Sequence, residues 1–202
     1  MHSFYYGLFV LRHCKTQNNI EHKISGQMDS EIVDFSIDVS NINQEFVYQL
    51  GLNIITSPAP RCLQTVELIK KQILGRIKVE TDYRLLERKM GDWEGEKKIN
   101  VIANNSCNII NGHIDPNFTP PNGESILSCS QRVDDFISDL QNQKFSSPVL
   151  ICSHNQTLKV LKSKLYGIQN FVDFWGTETF KNGKIESITI NENPKKVTDL
   201  EW

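Results

Sequence analysis

Two stretches far apart in the chain, LFVLRHC at residues 8–14 and VLICSHN at residues 149–155, each run an apolar, β-branched segment straight into a histidine. Neither segment alternates polar with apolar residues, so each reads as a strand buried on both faces, as in a parallel sheet sheathed by helices. If the two strands lie side by side and parallel, His13 and His154 emerge together at the carboxyl edge, where open α/β sheets bind ligands. A third segment, LNIITS at residues 52–57, ends the same way and delivers Arg61 into the first turn of the next helix.

Helices are expected between these strands. PRCLQTVELIKKQIL, residues 60–74, puts Cys62, Val66, Ile69 and Ile73 on one stripe behind a proline suited to a first turn. ESILSCSQRVDDFISDL, residues 124–140, does the same with Ile126, Val133, Phe136, Ile137 and Leu140. A third helix, Gln156 to Tyr166, aligns Leu158, Leu161 and Leu165 and stops at Gly167. GKIESITI, residues 183–190, reads as one more strand, antiparallel or at an edge.

This alternation predicts an α/β fold, a three-layer α/β/α sandwich on a mostly parallel central sheet with right-handed crossovers. With 202 residues and no repeat or linker, one domain spanning 1–202 is expected. Residues 97–122, Asn-rich and interrupted by Pro, are too long for a plain connection and are expected to form a cap or substrate-covering insertion.

A net charge of −2 argues against a sequence-independent grip on nucleic acid, which needs a basic face. A few local arginines would still suffice for a small anion. The apolar run from Phe4 to Leu11 has no basic segment before it and meets Arg12 at once, so it reads as strand rather than signal peptide. No stretch approaches the ~20 apolar residues of a membrane helix, and no membrane partner is expected. The five cysteines are odd in number and lack CxxC spacing, which fits reduced thiols in a cytoplasmic protein. A homodimer is compatible with all of this.

Thiol and imidazole compete for the chemistry at residues 13 and 14. A cysteine-dependent phosphatase needs a Cys, five residues and then an Arg, but that position holds Ile20 counting from Cys14 and Leu158 counting from Cys152. Both cysteines therefore read as small buried hydrophobes. The paired histidines together with Arg12 and Arg61 read as a functional cluster instead.

In order and spacing, LRHCKTQNN with SGQMD, TSPAPRCLQT, LLERKMGDWEGE, PPNGES and CSHNQTLKVL resemble the motif series of the histidine phosphatase superfamily, the phosphoglycerate mutase-like proteins, over roughly residues 6–166. The glycine that usually follows each histidine is here Cys14 and Asn155, whose backbone N–H groups could still serve a phosphate. The resemblance implies that His13 is the nucleophile that becomes phosphohistidine. Arg12, Arg61 and His154 would form the phosphate pocket, with Asn19, Asn155 and the loop containing Lys23, Ser25, Gly26 and Gln27 as further contacts. Glu87 would be the acid and base, with Asp92 and Glu94 as alternatives. Gly123 and Glu124 read as a turn leading into a helix.

The function implied is a metal-independent phosphatase acting on a small phosphorylated metabolite, with no cofactor. The rival is mutase-type phosphoryl transfer, disfavoured by the short chain and by the form of ERKMGDWEGE. A non-catalytic phosphate-binding regulatory protein is the third reading, suggested by the two replaced glycines. No HExxH or DxDxT pattern marks a metal site.

Overall fold

The computed structural model describes residues 7–110, 113–115, 118–168 and 179–188. Its central sheet runs β3-β2-β6-β1-β7, built from β1 (Leu8–Arg12), β2 (Leu52–Thr56), β3 (Ile77–Thr81), β6 (Val149–Ser153) and β7 (Ile185–Ile188). All neighbours pair in parallel except β7, which runs antiparallel on the β1 edge. Between β3 and β6 the chain adds a two-stranded ribbon, β4 (Ile109–Ile110) with β5 (His113–Ile114).

The unbroken apolar runs are explained by burial on both faces. β6 is buried at every residue. Val149 and Ile151 pack with Val133, Phe136, Leu158 and Leu161, whereas Leu150 and Cys152 pack with Cys62, Val66 and Ile69 on the opposite side. Because successive strand residues point to opposite faces, one strand serves two helical layers. Those layers are α3 (Pro60–Gln72) on one face and α5 (Ile126–Asn142) with α6 (Asn155–Tyr166) on the other. Each fully buried aliphatic side chain contributes about 1.5–3 kcal/mol, so this double packing fixes the sheet order.

Helix ends follow the local chemistry that the sequence announces. Pro60 opens α3, Ser125 caps α5 by accepting the Ser128 N–H, and Gly167 closes α6 in the left-handed region at φ 66°. The sequence reading passes over β3 and the short helix α2 (Gln44–Leu50). The β3 segment, IKVET, is mostly exposed and two of its five residues are charged, so it lacks the apolar run by which its neighbours are recognised. The other short helices are α1 (Gln17–Ile20) and α4 (Lys98–Asn104). The terminal KKVTDLEW, and the last two residues of GKIESITI, lie outside the described residues.

β6 lies between β1 and β2, although it follows both in sequence. The carboxyl ends of these three strands therefore adjoin, and the His13 N–H donates to the Ser153 carbonyl across them at 3.0 Å. Over this edge lie two interlocked segments. Residues 87–94 run against the turn at 120–124, with the Asp92 N–H donating to the Pro121 carbonyl and the Glu124 N–H to the Lys89 carbonyl. A Cβ on Gly91 would lie 2.0 Å from the Pro121 oxygen, and Gly91 has φ 56°. Gly167 shares that left-handed conformation, but nothing lies within 4 Å of its Cβ position. Gly167→Ala should therefore cost about 1–2 kcal/mol from backbone strain alone. Gly91→Ala should cost at least about 1 kcal/mol more, because it must also push two backbones apart; urea unfolding of both variants measures the difference.

Candidate active site

A cleft of about 210 Å³ opens at this edge, and Arg12, His13, Asn19, Gly26, Arg61, Glu87 and Asn155 all line it. His154 lies just beneath, fully buried, its ring centroid 5.3 Å from that of His13. Eight expected site residues thus come from five separate segments to one place.

His13 is 4% exposed. Its Nδ1 lies 2.7 Å from the Cys14 carbonyl, an acceptor, so Nδ1 carries the proton and Nε2 holds the lone pair. Burial, then the charges of Arg61 and Arg12, hold the imidazole well below its usual pKa. The result is a neutral ring with a free nitrogen, the state a nucleophile requires. Thr65 sets the position of this loop, its hydroxyl accepting the Cys14 N–H at 2.9 Å and donating to the Arg61 carbonyl at 2.7 Å. The Cys14 N–H is therefore already engaged, which corrects the expectation that it could serve a phosphate. Cys14 itself is a buried free thiol whose pKa burial raises.

His154 is held from both sides. Arg61 Nε donates to its Nδ1 at 3.2 Å, and its Nε2 lies 2.9 Å from Ser57 Oγ. The first bond makes Nδ1 an acceptor, so Nε2 carries the hydrogen and donates to Ser57. Direct donation to a phosphoryl oxygen would require His154 to give up Ser57. Burial and then the Arg61 charge also hold His154 well below the usual imidazole pKa.

Arg61, only 1% exposed, does three jobs at once. Besides holding His154, its Nη1 and Nη2 donate to the carbonyls of Met28 and Gly26 at 2.8 and 2.7 Å. Each terminal nitrogen keeps one further hydrogen for an anion. Gly26 thus meets Arg61 through its carbonyl, and its missing side chain leaves room for Glu94 Oε1, which would lie 2.1 Å from a Cβ. Arg12 Nη1 donates to the Phe180 carbonyl, while its Nε is buried without a partner. Asn19 accepts from the Thr16 N–H and from Asn182 Nδ2 through its oxygen, so its amide nitrogen is the group left to face an anion. Asn155 begins α6 and accepts the Phe180 N–H.

Among the three carboxylates weighed for the acid, Glu87 alone lines the cleft. Glu94 accepts the N–H groups of Gln27 and Met90, tying loop 25–28 to the strap formed by residues 87–94, and Asp92 is exposed and bonded to Asn122. Glu87 is itself oriented by three donors, the N–H groups of Arg88, Gln156 and Thr157, while the Thr157 hydroxyl donates to the Leu86 carbonyl at 2.7 Å. Two of these are first-turn N–H groups of α6, which His154 at the cap leaves without a side-chain acceptor. Glu124, expected only to turn the chain, pairs with Arg132 at 2.8 and 3.0 Å; its carboxylate accepts the Lys89 N–H and its backbone carbonyl accepts from Arg88 Nε, so it braces the Glu87 strap.

Ser57, Thr65, Asn182 and Arg88 escape the sequence reading. Ser57 and Thr65 sit in TSPAPRCLQT, where their distance from Arg61 could have flagged them. Asn182, which donates to the His13 carbonyl at 2.9 Å, carries no local signal. Among the described residues no cluster of His, Cys, Asp and Glu is arranged to hold a metal ion.

A sequence profile described as "Histidine phosphatase superfamily (branch 1)" matches residues 8–202. The chain belongs to the histidine phosphatase superfamily, a family of enzymes. It is 31% identical over 136 residues, 65% of this chain, to a Danio rerio protein named "Probable fructose-2,6-bisphosphatase TIGAR A", and spans only 52% of that relative's length. It is 30% identical to a Citrobacter koseri protein named "Probable phosphoglycerate mutase GpmB", over 80% of this chain and 75% of the other. The crystal structure of the alpha-ribazole phosphatase from Shigella flexneri superposes with a TM-score of 0.65 at 26% identity, covering 92% of this chain and 91% of that one. The α/β sandwich with its mixed five-stranded sheet is thus the fold of this family.

The depressed imidazoles make stability depend on pH. A histidine with folded pKa below its unfolded value of about 6.5 binds its proton more tightly when unfolded. Stability is therefore full above that value and falls as pH drops beneath it. Thermal unfolding followed from pH 8 to 5 should show Tm falling below about pH 6.5, and falling less steeply in His154→Asn.

Proposed function

We propose that this protein is a metal-independent phosphatase that hydrolyses a small phosphomonoester through a phosphohistidine on His13. The observation that carries the reading is the state of His13: neutral, with Nδ1 pinned to the Cys14 carbonyl and Nε2 free, beside the two guanidiniums of Arg12 and Arg61. Phosphoryl transfer places negative charge on three equatorial oxygens, and pre-positioned guanidinium groups stabilise that charge without reorganising. Nε2 forms the N–P bond as the ester P–O bond breaks, and the Glu87 carboxyl protonates the departing oxygen. Water then attacks phosphorus with Glu87 taking its proton, the N–P bond breaks, and alcohol and inorganic phosphate leave.

In this reading Arg12 and Arg61 clamp the phosphoryl group, with Asn19 and the start of α6 at Asn155 as further contacts. His154 orients Arg61 and crowds His13 in its neutral form. The whole chain acts as one catalytic domain in the cytoplasm, and the 97–122 segment covers the site, its helix α4 already contributing Lys98, Val101 and Ile102 to the cleft wall. No helix among the described residues is long and apolar enough to cross a membrane.

A mutase has the same first step, and a relative named as a phosphoglycerate mutase keeps that reading in play. The two separate on incubation with 3-phosphoglycerate and a trace of 2,3-bisphosphoglycerate, where isomerisation without phosphate release identifies a mutase. For the phosphatase, His13→Ala should lower turnover of p-nitrophenyl phosphate at least 10³-fold, in line with loss of a covalent nucleophile. Rapid quench of the wild type should trap an acid-labile, base-stable phosphoryl group. Unchanged turnover in His13→Ala excludes the mechanism.

A further inference from the structure

We propose that the outer edge of β3 is a self-complementary surface, by which two copies of this chain pair antiparallel about Val79 and join their sheets into one. The sheet ends on β3 at one side and on β7 at the other, and only the β7 edge is covered. There the Ile185 N–H donates to the Asp38 carbonyl, and Asn41 Nδ2 donates to the Ile185 carbonyl at 2.6 Å. At β3 the Arg76 carbonyl accepts from Leu52 and the Asp82 N–H donates to Thr56, so residues 76, 78, 80 and 82 turn their peptide groups inward to β2. Ile77, Val79 and Thr81 turn theirs outward, where they meet no hydrogen-bond partner among the described residues. Such an edge is a template for another strand.

Charge selects the occupant. The run RIKVETD, residues 76–82, carries Arg76 and Lys78 before Val79 and Glu80 and Asp82 after it. In an antiparallel pair centred on Val79, Lys78 lies opposite Glu80 of the second copy and Arg76 opposite its Asp82, all on one face. Centring on Lys78 or Glu80 sets like charges on the axis. Centring on Ile77 sets Arg76 opposite Lys78, and centring on Thr81 sets Glu80 opposite Asp82. Of the five residues of β3, only Val79 gives a centre with no like-charged pair, and there its outward N–H and carbonyl meet their own counterparts. Edge charges commonly keep strands apart, but this set excludes every register except one.

The charged groups are free to engage. Arg76, Lys78 and Glu80 line a groove of about 690 Å³, which gives their side chains room to cross to a second copy. Lys78 and Glu80 pair within the strand at 2.6 Å while 70% and 49% exposed, a contact of little strength by itself. Asp82 is held by Arg84 at 2.7 Å, and Arg76 forms no ion pair among the described residues. A strand pair alone buries less than the roughly 1,200–2,000 Å² of stable complexes. Leu74 and Tyr83, 72% and 74% exposed just beyond the two ends of β3, supply further apolar area, because antiparallel pairing brings the start of one strand to the end of the other. No residue of the cleft lies on this edge, so assembly is measured apart from turnover and without the phosphatase reading.

Sedimentation equilibrium of the full chain tests the pairing. The wild type should show a concentration-dependent dimer. Lys78→Glu and Glu80→Lys each place two like-charged pairs across the axis, and each should weaken the dimer at least about tenfold. Mixing these two variants gives every pair across the axis opposite signs, although the contact inside each chain stays like-charged. A heterodimer should therefore form on mixing, with a dissociation constant within about threefold of the wild type. Val79→Pro removes the N–H at the axis, at an edge position where proline is tolerated, and should leave the protein monomeric. A wild type that is monomeric at every concentration, a dimer that Lys78→Glu and Val79→Pro leave intact, or single variants that fail to associate on mixing overturn the inference.

Discussion

The parallel pairing of β1 with β6 is the constraint on which the site depends. Arg12 lies opposite Ser153 in that register, so the residues that follow, His13 and His154, leave the sheet side by side. A shift of one residue would send one imidazole to the other face, and the strands cannot shift, because their alternate side chains are committed to separate helical layers. Core packing on both faces therefore sets the 5.3 Å spacing of the rings. Burial then keeps both rings neutral, and the charge of Arg61 beside them adds to that effect.

Much of this arrangement is legible in the sequence, for physical reasons. A strand buried on both faces must be apolar throughout, so β1, β2 and β6 announce themselves, and the polar residues at their ends stand out against that background. β3 is illegible because an exposed edge strand needs no such run. The residues proposed to react are legible because chemistry restricts residue type. Their supports are not: Thr65, Ser57 and Asn182 act through hydroxyl and amide groups that occur anywhere on a surface, and only the fold brings Asn182 beneath His13. The turn PPNGES shows the opposite error, where a local reading of Gly123 and Glu124 as punctuation misses a brace formed with Arg132 and the Glu87 strap.

Glu87 joins the chemistry to the fold. Its carboxylate takes the place of a side-chain cap at the start of α6, the helix whose own cap residue is His154. Glu87, the buried imidazole and the helix start are thus one hydrogen-bonded unit, and Arg61 extends it to the loop at 26–28. Groups coupled so closely should not behave independently on substitution, because removing one leaves the partners of the others unsatisfied.

The interlock of Gly91 with Pro121 joins the two segments that lie above the cleft. The strap is anchored at that crossing and again where Ile24 bonds to Glu96 and Lys98 to His22, so the chain that follows Glu87 is fixed at two points. Chain between these anchors stays tied to the strap, with Val101 in one core cluster with Met90 and Trp93 and the Phe118 carbonyl accepting from Arg88 Nη2 at 2.9 Å. The wall of the cleft and the segment beside it therefore form one packed piece, so a change of residue in the wall is felt at the neighbouring carboxylate.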